Sequence, residues 1–141
     1  MKAKDTDSLQ QELMSTPNLN DFLASNSESF QCENVADFLA ALLSQKDLSK
    51  ATVARRAEMS EIYLHQIFAG RRKPSRNRLL CICYGLGATV NEAQELLKLC
   101  GLAQLYPKNR RDAIILFGMA HSSTLSEIND KLFLEDEEAL Y

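Results

Sequence analysis

The chain has 141 residues, 45% of them hydrophobic and 25% charged, with a formal net charge of −3. That length holds one domain, or one small domain with an extension, and the composition is globular rather than fibrous or low-complexity. No apolar run approaches the ~18 residues that a membrane-spanning helix needs, and the start MKAKDTDSLQQEL lacks the apolar core of a secretory signal. The expected location is therefore cytoplasmic, with no membrane partner.

Residues 1–17 are polar, end in Ser-Thr-Pro and read as a tail. In NLNDFLASNSESF, Leu19, Phe22 and Leu23 recur at i, i+3, i+4, which predicts a short amphipathic helix. A stronger helix starts at Asn34, where Val35, Phe38, Leu39, Leu42 and Leu43 form one full apolar face. Two very short helical patterns follow. Ser49 can cap the first, with Val53, Ala54 and Ala57 facing inward. Ser60 can cap the second, with Leu64, Ile67 and Phe68 as anchors, and Gly70 stops it. A helix over 75–86 is expected next, with Leu79, Ile82, Cys83 and Leu86 on one face.

Shifting the sequence by 35 residues lays KPSRNRLLCICYGLGATVNEAQELLKL on KNRRDAIILFGMAHSSTLSEINDKLFL without gaps. Lys73 meets Lys108, Arg76 meets Arg111, Thr89 meets Thr124, Glu92 meets Glu127 and Leu97 meets Leu132. Both copies carry T-x-x-E, in which Thr caps a helix and Glu reaches back to the cap's own N–H. Each copy reads as a helical hairpin too small to stand alone, so the second is expected to stack on the first. The final EDEEALY is acidic and is expected to fray. No strand signal competes, so the expected fold is all-α.

The charges are unevenly placed. Residues 46–78 hold nine cations and three anions, while residues 1–45 hold two cations and seven anions. A basic middle third inside an acidic chain is the footprint of a polyanion binder; a solvated helical surface is the alternative. The four cysteines and two histidines (His65 and His121) do not have metal-ligand spacing, so no metal site and no cofactor are expected, and reduced thiols fit the compartment. There is no phosphate-binding loop, no H-E-x-x-H and no G-x-S-x-G, hence no catalytic residue and no enzyme is expected.

Two short helices about three residues apart, the second followed by glycine and a basic loop, have helix-turn-helix spacing. The stretch from Val35 to Ala93 resembles the Cro-like phage-repressor helix-turn-helix family, the xenobiotic-response-element class. The resemblance is carried by Leu48 and Ser49, Val53 and Ala54, Ala57, Ser60, Leu64 and Ile67. GRRKPS at 70–75, Leu79 and Leu80, and GLGATVNEA at 85–93 complete it. The flanks resemble a bacterial subgroup with a C-terminal helical extension. The resemblance implies a five-helix repressor-like domain over 32–100, preceded by a tail and short helix over 1–31. A helical hairpin over 101–134 and an acidic tail over 135–141 would follow.

It further implies binding of double-stranded DNA as a homodimeric transcription regulator. Glu61, Ile62, His65 and Gln66 fall on positions that face base edges. Lys50, Arg71, Arg72 and Lys73 fall on positions that contact phosphates. Two departures stand out: Lys50 replaces a commoner glutamine, and Glu58 occupies a turn where the family usually has glycine. In the extension, Ile114, Ile115, Phe117, Leu125, Leu132 and Phe133 are candidates for a dimer or partner contact, with intramolecular packing as the plain alternative. The competing functional reading is a protein-interaction adaptor that keeps the fold with weak or no DNA binding.

Overall fold

The computed structural model describes residues 31–141, and side chains from residue 35 onward. The tail of residues 1–17 and the short helix expected around residues 19–23 lie outside the described residues. Those described are all-helical: α1 Gln31–Gln45, α2 Lys50–Arg56, α3 Glu61–Phe68, α4 Arg76–Leu86, α5 Val90–Leu99, α6 Arg110–Ala120 and α7 Leu125–Leu134.

Local chemistry sets the boundaries. Ser49, Ser60 and Ser75 each cap a helix by accepting from the backbone N–H three residues on. Thr89–Glu92 and Thr124–Glu127 both form complete capping boxes. Burial raises the Glu92 carboxyl, but the Thr89 backbone bond and the ion pair with Lys46 outweigh it and hold the group below its usual value. Gly70, Gly87 and Gly101 take positive φ just past helix ends, where only glycine avoids a Cβ penalty.

α1 to α5 form the five-helix unit. α1 packs on α5 and α3, α2 on α3 and α4, and α4 on α5. The α6–α7 hairpin stacks on α5 and α4, and its Ile115 and Leu132 join the same core as Leu39, Leu64 and Leu96. One face of α4 was the sequence expectation. Instead every residue from Leu79 to Leu86 is buried, because α2 covers one side and the hairpin another. Cys81 and Cys83 sit in this helix, and burial pushes their thiols up to about 11 and about 12.

The 35-residue repeat persists in three dimensions and runs further than the sequence match. Gly87 and Gly101 have positive φ, and so do their counterparts Ser122 and Asp136. The Gln94 side chain bonds the Leu105 backbone at 2.7 and 2.8 Å, and its counterpart Asn129 accepts from Leu140 N at 2.7 Å. The Arg76 guanidinium donates to the carbonyls of Ala103 and Gln104, and Arg111 donates to those of Glu138 and Ala139.

These bonds correct the expectation that EDEEALY frays. Leu140 is buried at 2% exposure as Leu105 is at 3%, and Arg110 holds Glu135 and Glu137. The carboxylates of Glu135 and Glu137 meet Arg110, and the carbonyls of Glu138 and Ala139 meet Arg111, the two arginines that open α6.

Candidate nucleic-acid interface

α2 and α3 are joined by residues 57–60. Glu58 takes φ 54, and the Met59 N–H reaches back to Ala54 O at 3.1 Å, closing α2 with a left-handed cap. The turn thus has the conformation that the sequence comparison anticipates for glycine, held here by a glutamate. The Tyr141 phenol is raised above its usual value, chiefly by Glu58.

α3 divides cleanly by its 3.6-residue period. Leu64, Ile67 and Phe68 are buried, whereas Glu61, Ile62, His65 and Gln66 are exposed in one stripe. Ile62 is 74% exposed, a large apolar side chain left in water at the centre of that stripe. Glu61 Oε1 lies 3.5 Å from His65 Nε2 one turn later.

The basic groups sit around this helix. Arg71, Arg72 and Lys73 are exposed, and Lys50 is half-buried with its ammonium 5.8 Å from the centre of the Phe68 ring. The Arg72 guanidinium donates to Gln66 Oε1 at 3.3 Å and lies 4.8 Å from the Tyr63 ring centre. Arg78, exposed on α4, approaches the same ring at 5.7 Å. The structure therefore joins Arg72 and Lys50 to α3 through their side chains, while Arg71 meets it through its backbone N–H, which donates to Gln66 O at 2.9 Å.

Sequence reasoning missed Arg78 and the role of Tyr63 as a platform for cations. The signal was present only as an aromatic residue on the flank of α3, with its second cation supplied by another helix. Two of the nine cations in the basic stretch are withdrawn from the surface. Lys46 pairs with Glu92 at 3.0 Å, and Arg76 pairs with the buried Asp112. Among the described residues no group of three or more His, Cys, Asp or Glu converges to hold a metal ion.

Residues 35–96 match the family model of a helix-turn-helix domain. This part of the chain is a helix-turn-helix domain. No curated protein and no solved structure matches the chain. The match spans α1 to most of α5 and stops before α6 and α7, so the hairpin lies beyond the helix-turn-helix domain. A domain of this kind is in general a DNA-binding module. Among the described residues no helix is long and apolar enough to cross a membrane.

Proposed function

We propose that the chain is a sequence-specific transcription regulator that binds double-stranded DNA as a homodimer. α3 enters the major groove, and Glu61, Ile62, His65 and Gln66 meet base edges. Lys50, Arg71, Arg72 and Lys73, joined by Arg78, hold the flanking phosphates. Half-sites would then lie about 34–36 Å apart on one side of the duplex. The observation that carries this reading is the outward stripe of α3. A 74%-exposed isoleucine costs solubility and does nothing for the core, yet beside cations it suits a thymine methyl. Gln66 can bond adenine N6 and N7 as a pair.

Glu58 and Glu61, both exposed, support the adaptor reading, because carboxylates repel phosphates. One experiment separates the two. Binding of a selected site and a scrambled duplex is measured by fluorescence anisotropy at several salt concentrations. Arg72→Ala should weaken both duplexes and flatten the log–log salt slope by about one unit. Gln66→Ala should cost about 1–3 kcal/mol on the selected site alone. If selected and scrambled DNA bind alike and neither substitution matters, the adaptor reading replaces this one.

A further inference from the structure

The α6–α7 hairpin repeats the apolar positions of α4 and α5 but not their burial. In α4 and α5, Leu79, Ile82 and Leu96 are fully buried. The same positions of the hairpin hold Ile114, Phe117 and Lys131. Ile114 is half-buried, Phe117 is 67% exposed and the Lys131 side chain is 59% exposed. They border an open groove between α6 and α7, with the buried Gly118 and Ile128 at its floor. The two helices close on one another there: a Cβ at Gly118 would stand 2.6 Å from Ile128 Cδ1. His121 enlarges the aromatic surface, its ring stacked on Phe117 with centroids 4.0 Å apart. An exposed aromatic pair beside an apolar groove, rimmed by charge, has the composition of an association surface.

The rim shows what fits it. Glu127 Oε1 accepts from Thr124 N, and its other oxygen has no partner among the described residues. Lys131 lies 3.4 Å from one oxygen of Glu135, whose other oxygen Arg110 already holds at 2.6 Å. The rim therefore carries an uncompensated carboxylate and a shared ammonium one helical turn apart, a pattern complementary to itself. In a two-fold pairing with the α7 helices antiparallel, residues four apart exchange places about the axis. Lys131 of each copy then faces Glu127 of the other. Gly118 lies beside Ile128, between those two residues along α7, so Phe117 falls near the axis and meets the groove of the second copy. The hairpin stacks on α4 and α5, and the outward stripe of α3 stays exposed, so pairing here leaves the base-reading side chains free.

We propose that the α6–α7 groove is the homodimer interface, where a second copy of the chain covers Ile114 and Phe117 and pairs its Glu127 with Lys131 across the two-fold axis. This rests on the homodimeric reading above and gives that reading its surface.

The test is sedimentation velocity of the full chain at micromolar concentration. The wild type should run as a dimer. Phe117→Asp should run as a monomer with unchanged far-UV circular dichroism, because the side chain it replaces is exposed and outside the core. Lys131→Glu and Glu127→Lys should each weaken self-association at least about tenfold, since each sets like charges opposite one another at two places. An equimolar mixture of those two variants should restore the dimer, because both contacts then join opposite charges. Glu127→Lys also removes a capping bond within its own chain, and restoration by mixing separates that loss from the loss of the interface. The interface is overturned if the wild type is a monomer, if Phe117→Asp stays as dimeric as the wild type, or if the mixture associates no better than either variant. DNA binding is read separately. A dimer indifferent to all three substitutions that still prefers its selected site would overturn this interface and leave the regulator reading standing. A dimer that Phe117→Asp dissociates and mixing restores, yet with no preference for any duplex, would support this interface and sink that reading.

Discussion

Glu58 shows how one residue can carry a conformational cost for the sake of a turn. A non-glycine residue in the left-handed region is disfavoured by about 1–2 kcal/mol, and the exposed contact with Tyr141 offsets little of that. Glu58→Gly is therefore expected to raise the melting temperature by a few degrees, less a few tenths of a kcal/mol for added unfolded-state freedom. Differential scanning calorimetry giving an unchanged or lower value would remove the strain argument. At the neighbouring helix, Arg72 and Gln66 are bonded to one another in the free protein. Their roles on DNA are consequently coupled: freeing Gln66 from Arg72 changes how it is presented to a base. A double-mutant cycle on the selected site should give an interaction energy of about 0.5 kcal/mol or more. Strict additivity would mean the bond is broken on binding without consequence.

α2 and α3 have seven and eight residues, far below the ~12–15 at which an isolated helix becomes even marginal. Their serine caps define where they start, but α1 and α4 make them stable. The α2–α4 contact depends on Gly85. A Cβ there would stand 2.8 Å from Val53 O and 3.1 Å from Ala57 Cβ, so the α2 backbone would have to move. Gly85→Ala is expected to destabilise the fold by about 1–3 kcal/mol in urea unfolding, despite alanine's better helix propensity. It should also weaken DNA binding, since α2 places the turn that aims α3. A variant as stable as the parent would show that the two helices can separate freely.

At the scale of the whole molecule, Asp112 links the helix-turn-helix domain to the hairpin. It is 6% exposed, takes Arg76 through both oxygens at 3.2 and 3.0 Å, and accepts from Tyr106 N. Arg76→Ala strands a buried carboxylate and is expected to cost about 3 kcal/mol. Arg76→Ala/Asp112→Ala should cost less than the sum of the two single changes, because no charge is left alone. Additive losses in equilibrium unfolding would mean that the pair acts only as two separate packing residues. Tyr84 reinforces the same junction, donating to Ile115 O at 2.7 Å. The hairpin residues proposed for partner contact divide accordingly. Ile115, Leu125 and Leu132 are core, while Phe117 and Phe133 remain outward.

The sequence by itself determined the features that act over a few residues. Caps at Ser49, Ser60, Thr89 and Thr124 were legible, as was the 61–68 span of α3, because the bonds that set them join residues three or four apart. The repeat was legible too, since duplicated packing demands duplicated apolar positions. Only the tertiary structure decided which of the clustered cations face solvent. Lys46 and Arg76 read like Arg71 and Arg72 in a charge count, but their partners Glu92 and Asp112 come from other helices. The burial of α4 on all sides and the docking of the tail were hidden for the same reason. The α4 pattern shows only the residues of one helix, and EDEEALY looks solvated until Arg110 and Arg111 are brought beside it. Local hydrogen bonds leave a mark at fixed spacing in the chain; burial and ion pairing are settled by whichever distant residue the fold delivers.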